Sequence, residues 1–277
     1  MNRTRLLLVA CRVFERELEV LARSAKTDLC IHFVEIAMHE QPGPLLRAVL
    51  QDEINAAPEE DFDAIGLAYG LCNRGLVGLT ARRLPVVIPR AHDCLGLLLG
   101  SSRRYLAELQ KEAGTYFQSS GWIEHLPADR TLRPLAAGGA LALNRDELVA
   151  RYGEEAARFL VEEYAKFTQH YKRLAFIATP VAGLEQREQK AAEIARQQGW
   201  TFERLEGDLG WLRRLVDGEW NDREFLIVKP HHRVVLRYDE SLIGAEPLTH
   251  APPDAPAAAP RATEPPSPQP DSPPAPA

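Results

Sequence analysis

RLLLVAC, residues 5–11, decides the fold class of this chain. After Arg5 every side chain is apolar, so no face of the segment is left for water. That is the pattern of a strand buried on both sides of a parallel sheet. The run follows Arg3 and Arg5, but it is too short for the core of a secretion signal, and a charged amphipathic helix over 15–26 follows at once. Residues 63–69 (DAIGLAY) and 84–89 (LPVVIP) repeat the buried-strand pattern, and 30–38 (CIHFVEIAM) alternates in part and supplies a second strand.

Helical patterns lie between the strands. One covers 45–56, opened by Pro42 or Pro44 in keeping with proline's tolerance in a first turn. Another covers 103–113, with Ser101 or Ser102 as its cap. In the second half, 144–171 reads as one long helix with Asn144 and Glu147 at capping-box spacing. Strands at 174–178 (LAFIA), 201–205 and 224–228 (EFLIV) then alternate with helices at 184–198 and 209–216. The expected fold is α/β, a doubly wound, mostly parallel Rossmann-like sheet built from two βαβ halves. Residues 1–113 form the half that carries the cysteine loops, and 144–246 form the other. Residues 114–143 have no period and are expected to cover the sheet irregularly, while 247–277, mostly Pro and Ala, are an expected disordered tail.

Composition narrows the function classes. The 277 residues are 45% hydrophobic, enough for one large core. The net charge is -6 and the basic residues are dispersed, so a nucleic-acid partner is not expected. No apolar stretch approaches the roughly 20 residues that span a bilayer. The expected location is therefore cytoplasmic, without membrane contact. Four cysteines are too few for a disulfide framework, which leaves core thiols, metal ligands or reactive thiols.

Position separates them. Cys11 ends the first strand, Cys72 lies three residues past Tyr69 in YGLCNRGLVG, and Cys94 lies five past Pro89 in PRAHDC. Loops after the carboxyl ends of parallel strands line one crevice, so the three sulfurs are expected to meet at one rim. Arg12, Arg74, Arg90 and His92 stand within a few residues of them and favour the thiolate form. Cys30 begins a strand at the opposite end and is expected in the core. Three thiolates with a fourth position, open or filled by His92 or His39, suit zinc. They equally suit an iron–sulfur cluster with one iron free for substrate. Arg74 and Arg90 are candidates to hold an anionic group, and Gly75 is expected to let backbone approach a cofactor. The glycines of GLCNRGLVG fit neither a dinucleotide fingerprint nor a phosphate-binding P-loop.

The strings YGLCNRGLVGL, IPRAHDCLGLLLGS, GTYFQSSGWIE and GDLGWLRRLVDGEWNDREFLIV resemble the domain of unknown function 1638 family of bacteria and archaea, over about residues 6–235. The family's pattern has cysteines where Cys11, Cys72 and Cys94 stand, although Asn73 replaces the glycine often found after the second. Members are often encoded beside corrinoid-dependent methyltransfer proteins, so the resemblance implies one-carbon metabolism and a possible corrinoid contact. The resulting expectation is a metal-site protein, an enzyme such as a methyltransferase. Cys11, Cys72, Cys94 and His92 would hold zinc or an iron–sulfur cluster, and the partner would be a small-molecule substrate or a corrinoid protein. The rival expectations are a non-enzymatic corrinoid- or metal-handling accessory protein and a structural module with core cysteines.

Overall fold

The computed structural model describes residues 3–36, 38, 43–125, 145–168 and 170–248. The expected tail, the Asn144 cap, His39 and most of the irregular cover lie outside the described residues. In chain order the first half contains β1 (Arg5–Cys11), a 3-10 turn (Arg12–Phe14), α1 (Glu15–Ala22), β2 (Asp28–Val34), α2 (Gly43–Ala56) and β3 (Ala64–Ala68). A second 3-10 turn (Cys72–Arg74), β4 (Thr80–Ala81), β5 (Val86–Pro89), α3 (Cys94–Leu98) and α4 (Ser102–Lys111) follow. The remainder contains β6 (Thr115–Ser119), α5 (Ser120–His125), α6 (Arg145–Tyr152), α7 (Glu154–Thr168), β7 (Arg173–Ala178), α8 (Leu184–Gln198), β8 (Thr201–Glu206), α9 (Gly210–Val216), β9 (Phe225–Val228), β10 (His232–Leu236) and β11 (Ile243–Pro247).

The apolar runs go where their lack of a wet face sends them. β1 is an interior strand, with β2 and β3 parallel on its two sides, β5 parallel beyond β3, and β9 antiparallel at the edge. Helices cover it on both sides. A Cβ placed on Gly66 would touch Leu8 and Leu215 of α9, whereas Ile65, pointing the other way, shares a cavity of about 90 Å³ with Ile54 of α2. β6, β7 and β8 form a separate parallel sheet, and β4, β10 and β11 a small antiparallel one.

The parallel sheets share a core. Phe117, Ala175, Ile177 and Leu205 from the second pack with the apolar residues of the first, while Tyr116, Leu174 and Phe176 face α8. The mixed α/β class and the mostly parallel central sheet are as expected. The division into two halves is not, because β9 leaves the second half to complete the first sheet. Segment 114–143 is not wholly irregular either, since TYFQS is a buried strand, β6. Its Thr, Gln and Ser gave no apolar period, yet contact with β7 and α5 buries them. The long helix breaks at Gly153, whose φ of +82° ends α6 and redirects the chain into α7. Among the described residues no helix is long and apolar enough to cross a membrane.

Glu17 of α1 sits at the junction of the two parallel sheets and is fully buried. Its Oε1 accepts a 2.6 Å hydrogen bond from the Thr179 hydroxyl, and its Oε2 has no partner among the described residues. Burial raises its carboxyl pKa above the usual carboxylate range. A carboxyl whose pKa is raised by folding costs stability once the pH passes the unfolded value of about 4.3. Glu17→Gln keeps the acceptor and removes that cost. Urea denaturation should show the variant more stable than the parent at pH 7–8, with the difference vanishing below about pH 4. An equal gap at both pH values would contradict a protonation origin.

Candidate functional site

Three loops leave the carboxyl ends of β1, β3 and β5, and each brings a thiol. Cys11 is the last residue of β1 and caps the turn that follows it. Cys72 lies in the second 3-10 turn with φ of +24°, and Arg74 beside it has φ of +60°. Two non-glycine residues with positive φ so close together store strain that the surroundings must hold. Cys94 is the first residue of α3, whose cap is Asp93. The Asp93 carboxylate accepts from Leu95 N at 3.0 Å and Gly96 N at 3.2 Å, and Tyr105 hydrogen-bonds to it.

The two later loops are clamped together. Leu71 N donates to Ala91 O at 2.8 Å, and Gly70 lies directly on the backbone of Asp93. This brings the Cys72 and Cys94 sulfurs to 3.8 Å, a distance at which either can donate to the other, and the Cys94 thiol also hydrogen-bonds to Cys11. None of the three is in a disulfide, and all are buried. Cys72, at 8% exposure, is the nearest of the three to solvent, against 2% for Cys11 and 3% for Cys94. Hydrogen bonds to Cys11 and Cys72, followed by burial, push the Cys94 thiol well above the usual thiol range, so it holds its proton at neutral pH.

Tyr69 completes the cluster. The register that pairs Ala10 with Ala68 places it beside Cys11, and its ring is almost wholly buried. Burial, and then the charges that Cys11, Cys72 and Cys94 would carry, raise its phenol pKa.

The expected metal centre is overturned. Among the described residues no group of three or more His, Cys, Asp or Glu side chains is arranged to hold a metal ion. The physical reason is visible in Cys94, whose thiol bonds to the other two and holds its proton, whereas a metal needs deprotonated ligands aimed at a common point. His92 is exposed, so it does not complete a set. The zinc or iron–sulfur methyltransferase reading, and with it metal handling by an accessory protein, is withdrawn.

The remaining candidates are placed as follows. Arg74 is exposed. A Cβ on Gly75 would fall 2.6 Å from Leu46 Cδ2, so its lack of a side chain serves the approach of α2. Arg90 donates to the carbonyls of Asp222 at 3.0 Å and Ser241 at 2.9 Å and also to Ile243 O, tying β5 to the segments around β9 and β11. It borders an open polar pocket of about 870 Å³ shared with Ser101, Arg103 and Asp222. Ser101 acts as a cap, accepting from Arg104 N at 3.4 Å. Cys30, expected in the core, is exposed, because β2 is an edge strand with one face in water.

A family model described as protein of unknown function (DUF1638) matches residues 33–216, well over half the chain. The chain belongs to this family. No curated protein and no solved structure matches it. Within this DUF1638 chain the matched span holds Cys72 and Cys94 with both clamped loops, while Cys11 and β1 precede it. Tyr69, which also falls in the span, was not singled out from sequence. The signal for it is its place one residue past a buried strand, level with a cysteine that ends the neighbouring strand.

Proposed function

We propose that the protein works through its thiol cluster as a reversible dithiol, with Cys72 and Cys94 the pair that oxidises. The observation that carries this is the 3.8 Å separation of two buried sulfurs on loops held together by their own backbones. A disulfide needs a further approach of about 1.8 Å, to the bond length of about 2.05 Å. The location supports the reading. We take the first sheet as doubly wound, with right-handed crossovers placing α1 and α2 on opposite faces. β2 and β3 flank β1, so the chain reverses direction across the sheet between β1 and β3, and ligands bind outside such a switch point.

The oxidant class is a low-molecular-weight disulfide. Cys72, nearest to solvent, attacks one sulfur of it, forming a mixed disulfide and releasing one thiol. Cys94 then loses its proton and attacks the Cys72 sulfur, closing the Cys72–Cys94 bond and releasing the second thiol. Two protein thiols are oxidised and one external disulfide is reduced. Because Cys94 holds its proton tightly, the second step is slow at neutral pH and accelerates on raising it.

Incubation of the reduced protein with oxidised glutathione, followed by mass analysis and thiol counting, tests this. The expected product has lost two hydrogens and carries a Cys72–Cys94 peptide link. Closure should be lost in Cys72→Ser and Cys94→Ser, kept in Cys30→Ser, and reversed by dithiothreitol. A protein that keeps four free thiols, or that links other pairs, sinks the reading.

A further inference from the structure

The Tyr69 hydroxyl is a buried donor without a recipient. The residue is 2% exposed, and its Oη makes no hydrogen bond among the described residues. An unmet buried hydroxyl is costly, so native proteins seldom keep one without a use. It is surrounded by groups that can lose a proton: Cys11 from β1, Cys72 from the 3-10 turn, Cys94 from α3 and Glu53 from α2. Asp93 and Tyr105, bonded to each other, lie beside Cys94 and add one acid and one phenol to its surroundings. The groups that act most strongly on the Cys94 thiol and on Tyr69 are the other cluster thiols and, for Tyr69, Glu53. A thiolate formed here has acids as its strongest neighbours, and the Tyr69 phenol is a buried donor without a partner among the described residues.

We infer that Tyr69 is a positioning residue, its hydroxyl idle while the three thiols are neutral and donating to the sulfur that ionises. The inference rests on the thiol-cluster reading and names the group that favours the cluster's thiolate in a site whose strongest neighbours are acids. A hydrogen bond to the charged form favours ionisation. The hydroxyl therefore lowers the cost of the thiolate without neutralising it, and the same bond is released when the disulfide closes.

The test is the pH profile of thiol alkylation in the full chain carrying Cys30→Ser, which silences the exposed thiol. Iodoacetamide labelling at Cys72 and Cys94 is followed by peptide mass spectrometry between roughly pH 6 and 11, a range that brackets the ordinary thiol pKa. Tyr69→Phe should raise the labelling midpoint by about one unit, making alkylation about tenfold slower at neutral pH. Its melting temperature should stay equal or rise, because only an unbonded hydroxyl is removed. A merely structural role would lower the melting temperature and leave the midpoint in place. Superimposed profiles, a lower midpoint in the variant, or cluster thiols that resist labelling across the whole range would each overturn the inference. If the midpoint moves but oxidised glutathione closes no disulfide, the dithiol reading fails and the role of Tyr69 stands.

Discussion

Gly70→Ala is expected to destabilise the protein by about 3 kcal/mol, at the upper end of the range for overpacking, and to uncouple Cys72 from Cys94. A Cβ at this position would stand 2.3 Å from Asp93 Cα and 2.5 Å from its carbonyl carbon. Both are backbone atoms, so no rotamer change relieves the clash and one loop must move. The Asp93 side chain caps α3, which begins with Cys94, and the Leu71 amide bonds to Ala91 across the same contact. Separation of the loops therefore opens the 3.8 Å sulfur pair. Chemical denaturation measures the first effect, and the yield of the Cys72–Cys94 link under oxidised glutathione measures the second. A variant with parental stability and parental link yield would show that the two loops do not depend on this contact.

Arg173→Ala should lower stability by about 3 kcal/mol at neutral pH, near the lower end of the cost of breaking a buried ion pair. The guanidinium is buried at the start of β7. It donates to Thr115 Oγ1 at 2.9 Å, to Glu108 Oε2 at 2.9 Å, and to Glu203 Oε2 at 2.7 Å. One side chain thus fastens α4, β6 and β8 to β7. Its loss leaves two carboxylates facing each other, of which Glu203 is partly relieved by water and by Lys111 at 2.6 Å. Bonds from Lys111 and then Arg173 hold the Glu203 carboxyl below its usual range. A lowered carboxyl pKa stabilises above the unfolded value of about 4.3, and that stability is lost as the pH falls through the folded value. The gap between parent and variant should narrow on acidification, as read from urea midpoints at pH 7 and near pH 3. Arg173→Lys should recover only part of the loss, since one ammonium cannot reproduce the planar fork.

The central sheet was legible because its physics is local. RLLLVAC and DAIGLAY can only be buried on both sides, and β1 and β3 lie there. That Cys11, Cys72 and Cys94 follow such strands was equally legible, since the loop rule needs only strand direction. β6 was not legible: Thr115, Gln118 and Ser119 are buried by contacts with segments distant in sequence, such as β7, which no local period records. Nor was the partner of β5, because an antiparallel strand from residues 225–228 looks in sequence like a member of the later sheet. The protonation of Cys94 was misjudged for a related reason: Arg74 and His92 are near the sulfurs along the chain but exposed, and the strongest influences on Cys94 are the other two thiols and burial. Gly75 likewise answers to Leu46, 29 positions away along the chain and touching in the fold.

The antiparallel edge strand has a consequence for biosynthesis. β5 ends at Pro89, but the strand that covers its open edge is Phe225–Val228, made only after the whole β6–β7–β8 sheet has been synthesised. During that interval the first sheet carries an unpaired apolar edge, the kind of surface on which nascent chains stick to one another. The second sheet needs no such late segment and can settle first, offering the shared core a surface on which the first sheet assembles. The first sheet is then finished after the second, and the thiols at its rim take their final spacing only once β9 is in place.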